Sequence, residues 1–183
     1  IDISISGEKE NIALLTRFLS LYEEFNNVSI RLEELEQHNP SLIDFFQNLL
    51  KRKKLNSLNL AIISSKPFSS ENFDCFCESL SPKIPLSKLT LLLDLSEISQ
   101  TSFMKLSFAL HNLHFIESLT LGFDCISRVS NQSLTQIGKS LAESKTLKHF
   151  GISLNGESKS SFSKLMNIFE SRSCYDAGIF SML

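Results

Sequence analysis

His111 and His114 stand three apart, a spacing that can present two imidazoles on one helical face, and two imidazoles are half of a zinc site. A third ligand would have to come from a neighbouring segment, because no carboxylate or thiolate is close in sequence. The ordinary reading is a pair of surface histidines at a helix end. The run Lys51-Arg52-Lys53-Lys54 has the composition of a nuclear address or an anion contact. At the end of a helix the same cations are solvated and face the negative pole of the helix dipole, which is the reading adopted. Serine is abundant, yet no Gly-x-Ser-x-Gly elbow occurs and no histidine sits in a triad context. Glu8/Glu10 and Glu33/Glu34/Glu36 read as loop charges. No pattern calls for a cofactor or a metal, so the chain is expected to be non-enzymatic, with no catalytic and no metal-binding residues.

Composition narrows the partners. A net charge of −2 and a pI near 6.1 leave no basic footprint for nucleic acid. No stretch approaches the ~18 consecutive apolar residues of a membrane span. Cys75, Cys77, Cys125 and Cys174 form no paired framework, and Cys75 and Cys77 point different ways from one expected helix. That usage fits a reducing compartment, so the expected location is intracellular, in the cytoplasm. Asn27-Val28-Ser29 and Asn131-Gln132-Ser133 match glycosylation acceptors, as chance allows in so Ser-rich a chain. The chain opens on Ile1 and ends on Met182-Leu183 without polar caps, which suggests a fragment or a subunit of a larger assembly.

The elements that would hold any site recur with a fixed period. Apolar pairs two residues apart occur at Ile3/Ile5, Ile30/Leu32, Leu58/Leu60, Leu89/Leu91, Leu119/Leu121 and Phe150/Ile152, at intervals of 27, 28, 31, 30 and 31. Each pair is followed by an apolar triplet at i, i+3, i+7: Leu15/Phe18/Tyr22, Leu42/Phe45/Leu49, Phe73/Phe76/Leu80, Phe103/Leu106/Leu110, Leu134/Ile137/Leu141 and Phe162/Leu165/Phe169. The first spacing lines one face of a strand and the second one stripe of a helix. A strand–helix unit repeated at this period marks a solenoid. The expected fold is α/β: a parallel sheet with helices on one side, bent so that the closely spaced strands line the concave face. One domain is expected over residues 1–183, in units near 1–27, 28–54, 55–85, 86–115, 116–146 and 147–183. Nine phenylalanines (Phe18, Phe45, Phe73, Phe76, Phe103, Phe123, Phe150, Phe162 and Phe169) fall on inward positions, which would leave no aromatic stripe on the surface. A sheet covered on both faces would need strands apolar on both sides, and these alternate except at Leu91-Leu92-Leu93.

Leu55, Leu58 and Leu60, then Leu86, Leu89 and Leu91, then Ile116, Leu119 and Leu121 follow the pattern LxxLxL, with Leu147, Phe150 and Ile152 a looser fourth. In this the chain resembles the leucine-rich repeat family, in its longer ribonuclease-inhibitor-like form. Cys125 stands where that family has Asn or Cys, whereas Ser64, Leu95 and Gly156 depart from it. The resemblance implies a binding scaffold. It also implies an alternative, regulation of a partner enzyme by inhibitor-like or GTPase-activator-like docking.

The concave face is the expected site. If Leu89, Leu91 and Leu93 point inward, then Lys88, Thr90, Leu92 and Asp94 face outward, followed in later units by Ser118, Thr120, Gly122 and Asp124, and by His149, Gly151, Ser153 and Asn155. Asp94, Asp124 and Asn155 would form a mainly acidic row beside small residues, suited to a basic or hydrogen-bond-donating protein segment. The expected function is therefore protein–protein interaction through this face.

Overall fold

Alternating apolar residues need a neighbouring strand and a covering helix, and here each unit obtains both from the next. The computed structural model describes residues 1–22, 24–35, 39–64, 68–80, 82–94, 98–124 and 130–154. Its elements are β1 (Asp2–Ser6), α1 (Lys9–Leu21), β2 (Asn27–Glu33), α2 (Ser41–Leu50), β3 (Ser57–Ile63), α3 (Ser70–Ser79), β4 (Lys88–Asp94), α4 (Gln100–His111), β5 (Ser118–Asp124), α5 (Asn131–Ala142) and β6 (His149–Leu154). The six strands form one open parallel sheet in chain order, and successive helices pack side by side. Leu58, Leu60, Leu89, Leu91, Leu119 and Leu121 are buried against Phe45, Phe73, Phe76, Phe103, Leu106 and Ile137 in one continuous core. Leu55, Leu86, Ile116 and Leu147, the leading residues of the LxxL pattern, are buried as well. The leucine-rich-repeat-like α/β solenoid is thus realised, with one strand face buried and the other open. The triplet Phe162/Leu165/Phe169, Cys125 and Cys174 lie outside the described residues.

The observed register corrects one interval. Ile30 pairs with Leu60, and Val28 pairs with Leu58. The β2 equivalents of Leu58/Leu60 are therefore Val28/Ile30 rather than Ile30/Leu32, and the second interval becomes 30 in place of 28. The pattern misled because β2 is apolar at Val28, Ile30 and Leu32 alike, so two alignments satisfy it.

The first helix departs further. Only Gly7 and Glu8 separate β1 from α1, whereas the later strand-to-helix links run five to seven residues. With the link cut short, the inward stripe arrives three residues early, as Ile12, Leu15 and Leu19, all buried. The expected triplet Leu15/Phe18/Tyr22 holds only at Leu15, and Phe18 and Tyr22 are 41% and 53% exposed. Gly7 makes the short link possible. Its N–H donates to Glu33 O at 2.5 Å, and a Cβ there would stand 2.8 Å from Leu35 Cα. Glu10 consequently lies in the first turn of α1 and Glu33 ends β2, so neither is a loop charge.

Aromatic packing follows the same division. Phe46, fully buried, meets Phe45, Phe68 and Phe76 at 5.3, 6.4 and 5.2 Å between ring centroids, tying α2 to α3. Phe103 meets Phe123 edge-on at 5.7 Å. Of the nine phenylalanines expected inside, Phe18 is exposed, and Tyr22, Phe108 and Phe115 are exposed as well.

Two devices beyond apolar burial align the units. At the entry to β3, β4, β5 and β6 one carbonyl of the preceding unit accepts two N–H groups. Asn26 O accepts from Asn56 and Ser57, Asn56 O from Ser87 and Lys88, Ser87 O from Glu117 and Ser118, and Glu117 O from Lys148 and His149, at 2.8–3.1 Å. The helices are capped by Ser69, Ser99 and Ser130, whose hydroxyls accept from Asn72, Ser102 and Ser133 N–H at 3.2, 3.1 and 3.2 Å. Such caps contribute about 1 kcal/mol each. For α2 the role passes to Asn39, fully buried, which accepts from Ser41 N–H at 3.0 Å and donates to Gly7 O at 3.1 Å.

The corrected register of α1 is open to measurement by urea unfolding. Ile12→Ala should cost roughly 2–5 kcal/mol, as for a buried aliphatic side chain. Phe18→Ala should cost less than half the loss measured for Ile12→Ala. Equal losses would restore the longer link.

Candidate functional site

Residues that alternate with the buried ones project from the helix-free side, and the strand register sets them in rows. Asn27, Ser57, Lys88, Ser118 and His149 form the first row; Ser29, Asn59, Thr90, Thr120 and Gly151 the second; Arg31, Ala61, Leu92, Gly122 and Ser153 the third. Asp94 pairs with Asp124 in a fourth. The expected residues Lys88, Thr90, Leu92, Asp94, Ser118, Thr120, His149 and Ser153 therefore share one face. Lys88, Leu92, Thr120 and His149 are exposed, and Thr90, Asp94, Ser118 and Ser153 are half-buried. Asn155 lies outside the described residues.

The face also has an apolar centre, of which the sequence reading named Leu92 and passed over Ala61 and Ile63. Leu92 is exposed and leans across Gly122, where an added Cβ would stand 2.5 Å from Leu92 Cδ2. Ala61 neighbours Leu92 in the same row, and the exposed Ile63 sits at the end of β3. The signal was present as apolar residues on outward positions of β3 and β4. Around this centre the polar residues pair locally: Asn59 Nδ2 reaches Ser29 Oγ at 3.3 Å, and Arg31 Nε reaches Glu33 Oε1 at 2.7 Å. Small apolar centres inside polar rims are the usual plan of a protein interface.

The helix side resolves the other candidates. Lys51-Arg52-Lys53-Lys54 is not a uniformly solvated end, because Arg52 is buried. Its guanidinium donates to the carbonyls of Leu19 and Tyr22 at the end of α1 and lies 5.4 Å from the Phe25 ring centroid. Arg52 closes the helix before its own, supplying donors and charge where a helix C-terminus lacks both partners and positive potential. Lys54 pairs with Glu24 at 2.5 Å. Lys51 and Lys53 border a groove of about 620 Å³ between α2 and α3 that also takes in Glu78 and Ser79.

Between α4 and α5, His111 Nδ1 stands 3.6 Å from Glu143 Oε2, so the neighbouring unit does bring a carboxylate to this pair. Among the described residues, no three His, Cys, Asp or Glu side chains converge as a metal site would require. Lys105 of α4 bridges Asp74 and Glu78 of α3 at 2.8 Å each, and those hydrogen bonds raise its ammonium pKa. The Cys77 thiol is pushed up by burial, far from the reactive thiolate range. No helix among the described residues is long and apolar enough to cross a membrane.

Comparison with known proteins places the fold alone. No protein-family model matches the chain, and no curated protein matches it. Among solved structures it is similar to the actin-binding site 2 of leiomodin-1, at a TM-score of 0.53 and 13% identity over 88% of this chain and 87% of that one.

The reassigned basic run yields a contrast between neighbours. Arg52→Ala should destabilise the chain by about 1–3 kcal/mol, since two carbonyls lose charged donors. Lys53→Ala should stay within about 0.5 kcal/mol of wild type, as at an ordinary surface position. Thermal melts of the two variants check this, and equal melting temperatures would return Arg52 to the solvated class.

Proposed function

We propose that this chain is a non-catalytic protein-binding module whose partner lies across the helix-free face of the sheet. The observation that carries the reading is the arrangement of that face. Its polar rows surround Leu92, Ala61 and Ile63, and Asp94 stands beside Asp124 where the strands end. An apolar anchor can be buried at the centre while basic or hydrogen-bond-donating groups of the partner meet the carboxylates. The small residues Thr90, Thr120, Gly122, Gly151 and Ser153 keep the face shallow enough for a backbone to approach. The solved leiomodin-1 domain of similar fold is an actin-binding site, which supports protein docking as a use of this scaffold.

Actin is accordingly the first probe, followed by proteins captured from lysate. A Thr90→Arg/Thr120→Arg variant fills the second row without touching the core. A partner held by wild type should bind this variant at least tenfold more weakly, about 1.4 kcal/mol, with the circular dichroism spectrum unchanged. A partner held equally by both would move the site to the helices.

A further inference from the structure

Arg52 points inward, held by the Leu19 and Tyr22 carbonyls and the Phe25 ring. That contact pins the turn after α2 and leaves its sequence neighbours Lys51 and Lys53 exposed. Among the described residues, neither lysine enters an ion pair. Both border two grooves at once. One, of about 620 Å³, lies between α2 and α3, and the other, of about 430 Å³, lies between α1 and α2. Leu50 and Ile84, both buried, floor the wider groove, with the half-buried Cys75 beside them.

Charge decides what this surface prefers. Lys51, Arg52, Lys53, Lys54 and Lys83 line the two grooves, against the carboxylates of Glu24 and Glu78. That local charge of +3 stands in a chain of net charge −2, so the remainder carries −5. The C-terminal ends of α1, α2 and α3 also meet here, each counting as roughly −0.5 of a charge. They offset only about half of the excess, so a positive surplus remains. The two carboxylates are already engaged, Glu24 by Lys54 at 2.5 Å and Glu78 by Lys105 of α4 at 2.8 Å.

We propose that the two grooves form a second partner site, on the helix side and independent of the sheet face, which takes an acidic segment of a protein chain lying across the end of α2. Carboxylates of the segment meet Lys51, Lys53 and Lys83, and an apolar side chain between them rests on Leu50 and Ile84. Neighbouring helices stand about 10 Å apart, so crossing both grooves takes about 20 Å. An extended stretch of about six residues covers that length. Lysine ammoniums on flexible stems accept carboxylates from many directions, which suits a segment with no fixed structure of its own. Nucleic acid carries the right sign too, but a long polyanion would run on over the remaining surface, whose net charge repels it.

Fluorescence anisotropy on the whole chain tests this. The probe is a labelled peptide with two glutamates to each leucine, and its control carries lysine in place of glutamate. Wild type should bind the glutamate peptide, less tightly as salt rises, and should not bind the control. Lys51→Glu/Lys53→Glu should weaken binding at least tenfold, about 1.4 kcal/mol, with a native circular dichroism spectrum. Thr90→Arg/Thr120→Arg should not weaken it, which separates this site from the sheet face. A readout free of substitutions comes from Cys75, whose alkylation, followed by peptide mass mapping, should slow when the glutamate peptide is bound. A wild type that prefers neither peptide, a charge-reversed variant that binds equally well, or an unprotected Cys75 would each overturn the proposal. A short DNA duplex binding more tightly than the peptide would overturn it in favour of phosphate recognition.

Discussion

No unit of this chain can bury its own apolar surface, and nearly every other feature follows from that. A strand of five to seven residues and a helix of ten to thirteen each expose an apolar face, so the unit folds only against a neighbour. The polar devices obey the same rule and reach across units. Backbone carbonyls at Asn26, Asn56, Ser87 and Glu117 receive the next strand. Asn39 ties α2 to Gly7, Arg52 closes α1 from the end of α2, and Lys105 joins α4 to α3. Stability is thereby a sum over nearest neighbours.

The first described unit is built differently from those that follow. Its link is shortened to Gly7 and Glu8, which draws α1 one turn toward its own N-terminus and leaves Phe18 and Tyr22 beside Phe25 in a partly exposed aromatic group. The Phe18 and Tyr22 rings are 5.0 Å apart, close enough to shield one another from water on their inner sides. Arg52 seals that group from the core side. The residue chosen for this task belongs to the unit that follows.

Periodicity made the architecture legible because a solenoid repeats its physics as well as its residues. The spacing of two located β3 to β6 and the i, i+3, i+7 spacing located α2 to α5, since core contacts dictate residue type at those positions. Where the link length changed, the pattern could not see it. Ile12/Leu15/Leu19 and Leu15/Phe18/Tyr22 satisfy the same spacing, and only the length of the Gly7 link distinguishes them. Val28, Ile30 and Leu32 were ambiguous for a related reason, three apolar residues admitting two registers. Arg52 was illegible in a stronger sense. Nothing local separates it from Lys51 or Lys53, and its role depends on a carbonyl more than thirty residues earlier. The serine caps were legible and passed over, because a hydroxyl three residues before the first buried helical residue is a local signal.

The helix-free face was legible for the opposite reason, that strands alternate and parallel units share one register. Sheet geometry places Lys88, Thr90, Leu92 and Asp94 together whatever their identity, so it fixes which residues share the face and leaves its use to the residue types. Those types do not converge on one atom. Asp94 and Asp124 end β4 and β5, Lys88 and His149 stand where β4 and β6 begin, and Leu92 with Ala61 lies between them. A reacting centre needs several groups aimed at a single point in a water-excluding pocket. Rows spaced along a sheet instead offer many contacts over an extended area, and the proposed protein partner rests on that arrangement.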